Sequence, residues 1–231
     1  MKIYRYDSIP STNAEAKKMI LDGARAGVLL AEHQSAGRGR LGRSFFSENG
    51  IFMSMILTPE RMAFDPCFLT SATAAAVCRA ICKQGFSVGI KWVNDIYFEE
   101  KKICGILSEA VSMGAHTLAY VVGIGINVGN TEFPEEIKQI ASFLPLDKNE
   151  KESLFYEILK QMEIVLSEDK ETILSYLKEK SVVLGKKIRF FGAKNGEGTA
   201  LDLDENGGLI VQTEEKEQII LTGGEISVRT Q

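Results

Sequence analysis

The sequence predicts an α+β fold, and three observations carry that reading. Across residues 1–183, apolar runs of strand character alternate with segments of helical period. Residues 184–231 abandon the helical period for short alternating runs broken by glycine turns, the pattern of a small β-barrel or sandwich. The two regimes meet near Val183, which divides the 231 residues into a large first domain, 1–183, and a small β-domain, 184–231. At under ~50 residues the second domain would have too little core to be stable alone, so it should dock on the first.

The chain is 45% hydrophobic and 25% charged, the balance of a globular protein rather than a disordered one. A net charge of -4 argues against a general nucleic-acid binder, although Arg38, Arg40 and Arg43 form a local basic patch. No apolar run reaches the ~18–20 residues that span a bilayer. The opening MKIYRYDSIP has no apolar signal core, so no membrane partner and a cytoplasmic location are expected. Cys67, Cys78, Cys82 and Cys104 form no C-x-x-C pair, and three of them share one predicted helix. Buried free thiols are expected rather than a metal site. His33 and His116 stand alone, and no metal-ligating residues are assigned.

Ile3 to Tyr6 reads as a strand and leads into a helix in which Thr12, three residues before Glu15, has capping-box spacing; Gly23 closes that helix. Gly27 to Glu32 reads as a buried strand, and Ile51 to Leu57 as another after the Asn49-Gly50 turn signal. Asp65-Pro66 starts a helix whose apolar face includes Leu69, Ala72, Ala76 and Ala80, with Gly85 as terminator. Val88 to Val111 reads as strand, turn, strand, with Glu99 to Lys102 as the turn, and Leu118 to Val128 as a further strand. Lys151 to Lys180 turns helical: Leu154, Ile158, Met162 and Leu166 make one stripe, and Ile173, Tyr176 and Leu177 begin a second.

Four segments could carry chemistry. In Gly37-Arg38-Gly39-Arg40-Leu41-Gly42-Arg43, glycines permit close backbone approach and arginines supply forked donors for carboxylate or phosphate. The segment also fits G-x-G-x-x-G, but a turn signal follows where the dinucleotide fingerprint requires a helix. Lys91-Trp92-Val93-Asn94-Asp95 reads as the end of a strand with Lys91, Val93 and Asp95 on one face; Lys91 either meets a ligand anion or pairs with Asp95 on a solvated face. In Lys102-Ile103-Cys104-Gly105-Ile106-Leu107, running on to Glu109, a glycine inside a strand marks a bulge, a close approach or merely relieved packing. Gly123-Ile124-Gly125-Ile126-Asn127-Val128 closes a glycine-bearing strand with an asparagine.

Together and in this order, GRGRLGR, KWVND, KICGILSE and GIGINV resemble the catalytic domain of biotin–protein ligases, whose patterns are GRGRxGR, KWPND, KxxGIL followed by Glu, and GxGIN. Ser11-Thr12-Asn13 and Gln34 also fit, and so does the C-terminal segment ending GGEISVR; Val93 departs from the family's proline. The resemblance implies a mixed β-sheet flanked by helices, followed by a small SH3-like β-barrel. It also implies the single-function form, without an N-terminal DNA-binding domain. The implied activity is formation of biotinyl-5'-AMP from biotin and ATP with Mg²⁺, then transfer of biotin to a lysine of a biotin carboxyl carrier protein domain. A homodimer stays open, as does the identity of the carboxylase.

By the same resemblance, Ser11, Thr12, Asn13 and Gln34 would line a pocket for biotin's neutral ureido ring, although Thr12 could equally serve its helix cap. Arg38 and Arg40, with the Gly39 backbone, would hold the acyl-phosphate region. Lys91 would bridge the biotin carboxylate and the α-phosphate, making Lys91 and Arg40 the catalytic pair, while backbone near Gly105 would approach biotin. Arg43 would face the leaving pyrophosphate, and Asn94 and Asn127 would contact ATP, with 127–133 as the adenine neighbourhood. Asp95 is the candidate base for the acceptor amine. A lipoate–protein ligase or octanoyltransferase on the same fold is the nearest rival, and a non-catalytic biotin-binding module a rival from another class.

Overall fold

A computed structural model describes residues 1–45, 49–129, 132–192, 195–223 and 226–230. Seven strands form the first sheet: β1 (Ile3–Ile9), β2 (Gly27–Gln34), β3 (Gly50–Leu57), β4 (Gly89–Lys91), β5 (Asp95–Phe98), β6 (Lys101–Met113) and β7 (His116–Asn127). Their order is β1-β2-β3-β7-β6-β5-β4, with β1 parallel to β2 and every other pair antiparallel. The sheet is therefore mixed, as expected.

Side-chain alternation splits the sheet into two faces. Helix α1 (Thr12–Leu21) covers one of them, packing Ala16 and Ile20 on Leu29, Ile56, Val111, Ala119 and Val121. Three helices, α2 (Leu69–Lys83), α3 (Lys148–Ser167) and α4 (Lys170–Glu179), lie on the other side. There Val122, Ile124 and Ile126 of β7 join a larger core with Ala72, Ala76, Leu154, Ile158, Met162 and Ile173. The helical stripe read from the sequence is the buried stripe; Leu154, Ile158 and Met162 have no exposed surface.

Strands β8 (Lys187–Gly192), β9 (Gly196–Leu203), β10 (Leu209–Thr213), β11 (Gln218–Leu221) and β12 (Ile226–Thr230) make a second, antiparallel sheet ordered β11-β10-β9-β8-β12. Among the described residues β11 and β12 do not pair, so this is an open sheet and not the closed barrel expected. Gly224 of the Gly223-Gly224 turn lies outside the described residues. Docking on the first unit is observed: Ile188, Phe190, Leu209 and Val211 belong to the same continuous core as α2 and α3. The turn at Gly207 (φ 78°) seats against the Phe68 ring, and its carbonyl accepts the Trp92 indole N–H at 2.9 Å.

Four local expectations are corrected. Ser11, not Thr12, caps α1, accepting the Ala14 N–H at 3.4 Å, because the Thr12 hydroxyl is engaged by Gln34 and Ser54 from distant strands. Lys91 to Asp95 is not a continuous strand: residues 92–94 form a turn containing a cis Trp92–Val93 peptide, and Lys91 and Asp95 face one another across it. The next turn is only Glu99-Glu100, so Lys101 and Lys102 belong to β6. All four cysteines are free, with Cys78 and Cys104 buried, but Cys67 is exposed in a single 3₁₀ turn ahead of α2. No helix among the described residues is long and apolar enough to cross a membrane.

Ile158→Ala should cost about 2–5 kcal/mol, the range for truncating a fully buried aliphatic side chain. Ile164→Ala, on the same helix but exposed, should stay within about 0.5 kcal/mol. Urea denaturation of both variants checks the pair, and equal losses would contradict the assigned face.

Candidate active site

On the α1 face the sheet carries a furrow where side chains are missing. Register aligns Phe52, Gly125, Gly105 and Asp95 across β3, β7, β6 and β5, and one pleat further along aligns Ser54, Gly123 and Leu107. A Cβ on Gly125 would overlap the Phe45 ring, and one on Gly123 would overlap the Asn13 amide. These glycines are therefore required by close approach, the reading given for a glycine within a strand. The furrow opens into a cavity of about 690 Å³.

Every candidate site residue lines this cavity: Ser11, Thr12, Asn13, Gln34, Arg38, Gly39, Arg40, Arg43, Lys91, Asn94, Gly105 and Asn127. They come from five separate stretches of chain: the start of α1, the end of β2 with the loop after it, the β4–β5 connection from Lys91 to Asn94, β6 at Gly105, and the end of β7 at Asn127.

The two ends of the cavity differ in chemistry. At one, Ser11, Thr12 and Asn13 are buried and neutral; the Thr12 N–H donates to Gln34 Oε1 at 2.8 Å, and the Thr12 hydroxyl lies 3.1 Å from the same oxygen. Toward the other, the arginine loop is folded compactly by a bridge between Arg38 and Ser44, a Gly39 N–H to Arg43 carbonyl bond of 2.7 Å and a 3₁₀ turn over Arg40–Gly42. Arg40 donates to Asn94 Oδ1 at 2.9 Å and to the Gly223 carbonyl, so the second sheet reaches the site. Asn94 is itself fixed by donating to the Ile106 carbonyl at 3.0 Å. Burial pushes the Arg40 guanidinium below its ordinary value; Asp95 opposes that shift and Arg43 adds to it.

Lys91 lies over the Tyr97 ring and donates to its hydroxyl at 3.1 Å. The alternative pairing of Lys91 with Asp95 is not the ion pair seen: Asp95 pairs with Lys102 at 2.7 Å. Burial raises the Tyr97 phenol, with Asp95 adding to the shift, so it stays a neutral hydrogen-bonding group at physiological pH. Asn127 is held by donating to the Ser142 carbonyl at 3.0 Å. Of the suggested adenine neighbourhood, Phe133 lines the cavity with Ile137, Gln139 and Ile140, while residues 130–131 lie outside the described residues.

Residues 5–127 match the Biotin/lipoate A/B protein ligase family. This chain belongs to that family. Residues 183–229 of the ligase-family chain match the Biotin protein ligase C terminal domain. The bifunctional ligase/repressor BirA of Bacillus spizizenii is 39% identical over 151 residues, 63% of this chain and 46% of that protein, so the match spans about half the relative's length. The biotin--[acetyl-CoA-carboxylase] ligase of Mycobacterium tuberculosis is 28% identical over 95% of this chain and 86% of its own length. Among solved structures, the biotin protein ligase from Aquifex aeolicus in complex with biotin and ATP superposes with a TM-score of 0.85 at 28% identity, covering 100% of this chain and 99% of that one.

In this ligase-family chain, sequence reading missed several groups that the fold brings to the cavity. Lys102 was read only as part of a turn and a motif, yet it lines the cavity beside Gly105. Phe45 follows the arginine loop and packs edge-on to Phe52 at 6.3 Å between ring centroids. Ser54 does not line the cavity but is fully buried behind it against Thr12 and Asn13; a lone hydroxyl within the apolar run IFMSMIL was the available signal.

Gly123→Ala should displace the Asn13 amide and cost about 1–3 kcal/mol, as overpacking does. A denaturation midpoint equal to that of the unchanged chain would show that Asn13 is not held there.

Proposed function

We propose that the chain activates biotin with ATP to biotinyl-5'-AMP and then transfers the biotinyl group to a lysine of a biotin carboxyl carrier protein domain of a biotin-dependent carboxylase. One observation carries this reading: a neutral hydrogen-bonding pocket and a cluster of cations open into a single cavity on the α1 face. The division into a catalytic unit, 1–183, and a C-terminal β-unit, 184–231, goes with it, and a cytoplasmic location suits four free thiols.

Ser11, Thr12, Asn13 and Gln34 match a ring with two N–H donors and one carbonyl acceptor, because neutral polar partners satisfy such a ring without desolvating a charge. The glycine furrow takes the acyl chain. Biotin's carboxylate then reaches the cationic end, where it attacks the ATP α-phosphorus and displaces pyrophosphate. Two anions approach in that step, so fixed cations lower its barrier. Arg38, Arg40 and Lys91 serve the acyl-phosphate centre, Lys102 shares that role from beside Gly105, and Arg43 serves the pyrophosphate. Asn94 holds Arg40 at 2.9 Å as well as facing the nucleotide, and Asn127 supports the nucleotide end.

Among the described residues no group of three or more His, Cys, Asp or Glu side chains could hold a metal ion. A Mg²⁺ carried in by the phosphates would meet Asp95 and Glu100, the carboxylates of the described lining, and would supply further charge neutralisation. In the second half-reaction the carrier's lysine nitrogen attacks the acyl carbon of the mixed anhydride and AMP leaves. An activated acyl group needs no enzyme nucleophile, and Cys104 is buried in the core on the opposite face of the sheet, where burial raises its thiol and suits an inert group. Asp95, engaged by Lys102, is better placed to orient that lysine than to serve the incoming amine.

Biotin-dependent ATP–pyrophosphate exchange by the purified chain, with no exchange on lipoate or octanoate, tests the proposal. Exchange on those acids instead would establish the rival ligase chemistry, and biotin binding without exchange the binding module. Lys91→Ala and Lys102→Ala should each slow exchange by about 10²–10³-fold, the scale for one preorganised charge-stabilising group. A near-normal rate in either variant would remove that lysine from the reacting centre. Arg40→Gly should release adenylate into solution before transfer, read as free biotinyl-AMP by chromatography; full retention would leave Arg40 without that task.

A further inference from the structure

We infer that Glu109, a residue outside the cavity, is a positioning residue that fixes which way the hydrogens point in the pocket for the ureido ring, acting through Asn13, Ser54 and Thr12. The inference rests on the proposed biotin chemistry of that pocket and adds a determinant of its selectivity.

The Glu109 carboxylate accepts from Lys17 Nζ at 2.6 Å and from Asn13 Nδ2 at 2.8 Å. The same Asn13 NH₂ points at the Leu107 carbonyl, 3.3 Å away. A carboxylate and a carbonyl can only accept, so the Asn13 amide must turn its NH₂ toward them and its Oδ1 toward Ser54. Ser54 Oγ lies 2.6 Å from Asn13 Oδ1 and 2.7 Å from Thr12 Oγ1, and is fully buried. Its hydroxyl has one proton. The amide oxygen can only accept, so that proton is committed to Asn13, and Ser54 Oγ has only lone pairs left for Thr12.

Thr12 then has two acceptors within reach, Ser54 Oγ and Gln34 Oε1 at 3.1 Å. Its single proton goes to one or the other, and in both cases it is spent inside the protein. The hydroxyl therefore meets the cavity as an acceptor. The Thr12 backbone N–H holds Gln34 with its oxygen inward, so the Gln34 NH₂ is the donor half of the pair. A ligand that donates an N–H at Thr12 suits this order; one that offers an acceptor there is opposed by lone pairs. Burial makes the order matter, since a mismatched polar contact there finds no water to replace it.

The charge on Glu109 is the origin of the order. A glutamine at 109 is isosteric, but with its oxygen drawn to Lys17 its NH₂ faces Asn13, which then turns its own NH₂ toward Ser54, opposed by the Leu107 carbonyl alone. Ser54 then donates to Thr12 Oγ1 and occupies a lone pair that the ligand would use, leaving Gln34 as the one acceptor for the Thr12 proton. Lys17 offers a control: Lys17→Met removes the ion pair but leaves the carboxylate acceptor in place.

The experiment measures exchange kinetics with biotin and with ring-N-methylated biotins, in the unchanged chain, E109Q and K17M. Melting temperatures are recorded alongside; Glu109 is about a third exposed (30%) and E109Q should fold, with Glu109→Met carrying the same expectation otherwise. The unchanged chain should discriminate strongly against a methylated ring nitrogen. E109Q should raise KM for biotin about tenfold with kcat little changed, the scale of one buried hydrogen bond, and should narrow that discrimination. K17M should retain both. Unaltered selectivity in E109Q, or equal damage in K17M, would overturn the inference while leaving the biotin reading intact. Absence of biotin-dependent exchange in the unchanged chain would instead overturn the functional reading on which it rests.

Discussion

Mutual repulsion among five cations, Arg38, Arg40, Arg43, Lys91 and Lys102, governs the construction of the cavity, where among the described residues the lining carboxylates are Asp95 and Glu100. Like charges gathered beside a partly desolvated wall raise one another's energy. The fold restrains them mainly with neutral dipoles: Arg40 on the Asn94 amide and the Gly223 carbonyl, Lys91 on the Tyr97 phenol. Dipoles orient a cation without cancelling its field. The described lining thus carries more cations than carboxylates, and that excess favours polyanions.

Space for those anions depends on the sheet. On the α1 face β7 reads Ala119, Val121, Gly123, Gly125, Asn127, grading from core aliphatics to glycine to amide along one strand. Helix α1 covers the aliphatic part and starts beside the glycines, which brings Ser11, Thr12 and Asn13 to the pocket rim. The furrow and the capped helix start are two results of the same register.

The motifs were legible because each is contiguous: three glycines with three arginines, a lysine before an asparagine, glycines within strands. The stripe Leu154, Ile158, Met162 was legible because a helix samples its core at fixed intervals. What stayed hidden depended on partners distant in sequence. Thr12 has local capping-box spacing with Glu15, yet its hydroxyl is taken by Gln34 and Ser54 and the cap falls to Ser11. Lys91 to Asp95 alternates like a strand, but its apolar middle, Trp92 and Val93, is buried against the second sheet at Gly207 and Gly223. Lys102 looked like hairpin decoration because two adjacent glutamates with positive φ make a tighter turn than the charge run suggested. The open form of the second sheet was out of reach for a related reason: alternation reveals strands but not whether the last meets the first.

The second sheet touches the same five-residue turn from two sides, taking the Trp92 indole at Gly207 and flanking Val93 at Gly223, while Gly223 also receives Arg40. It therefore behaves as a keystone for the reacting end of the cavity. Severed near residue 183, the chain would keep its neutral pocket but lose the abutment against which its arginine loop is braced.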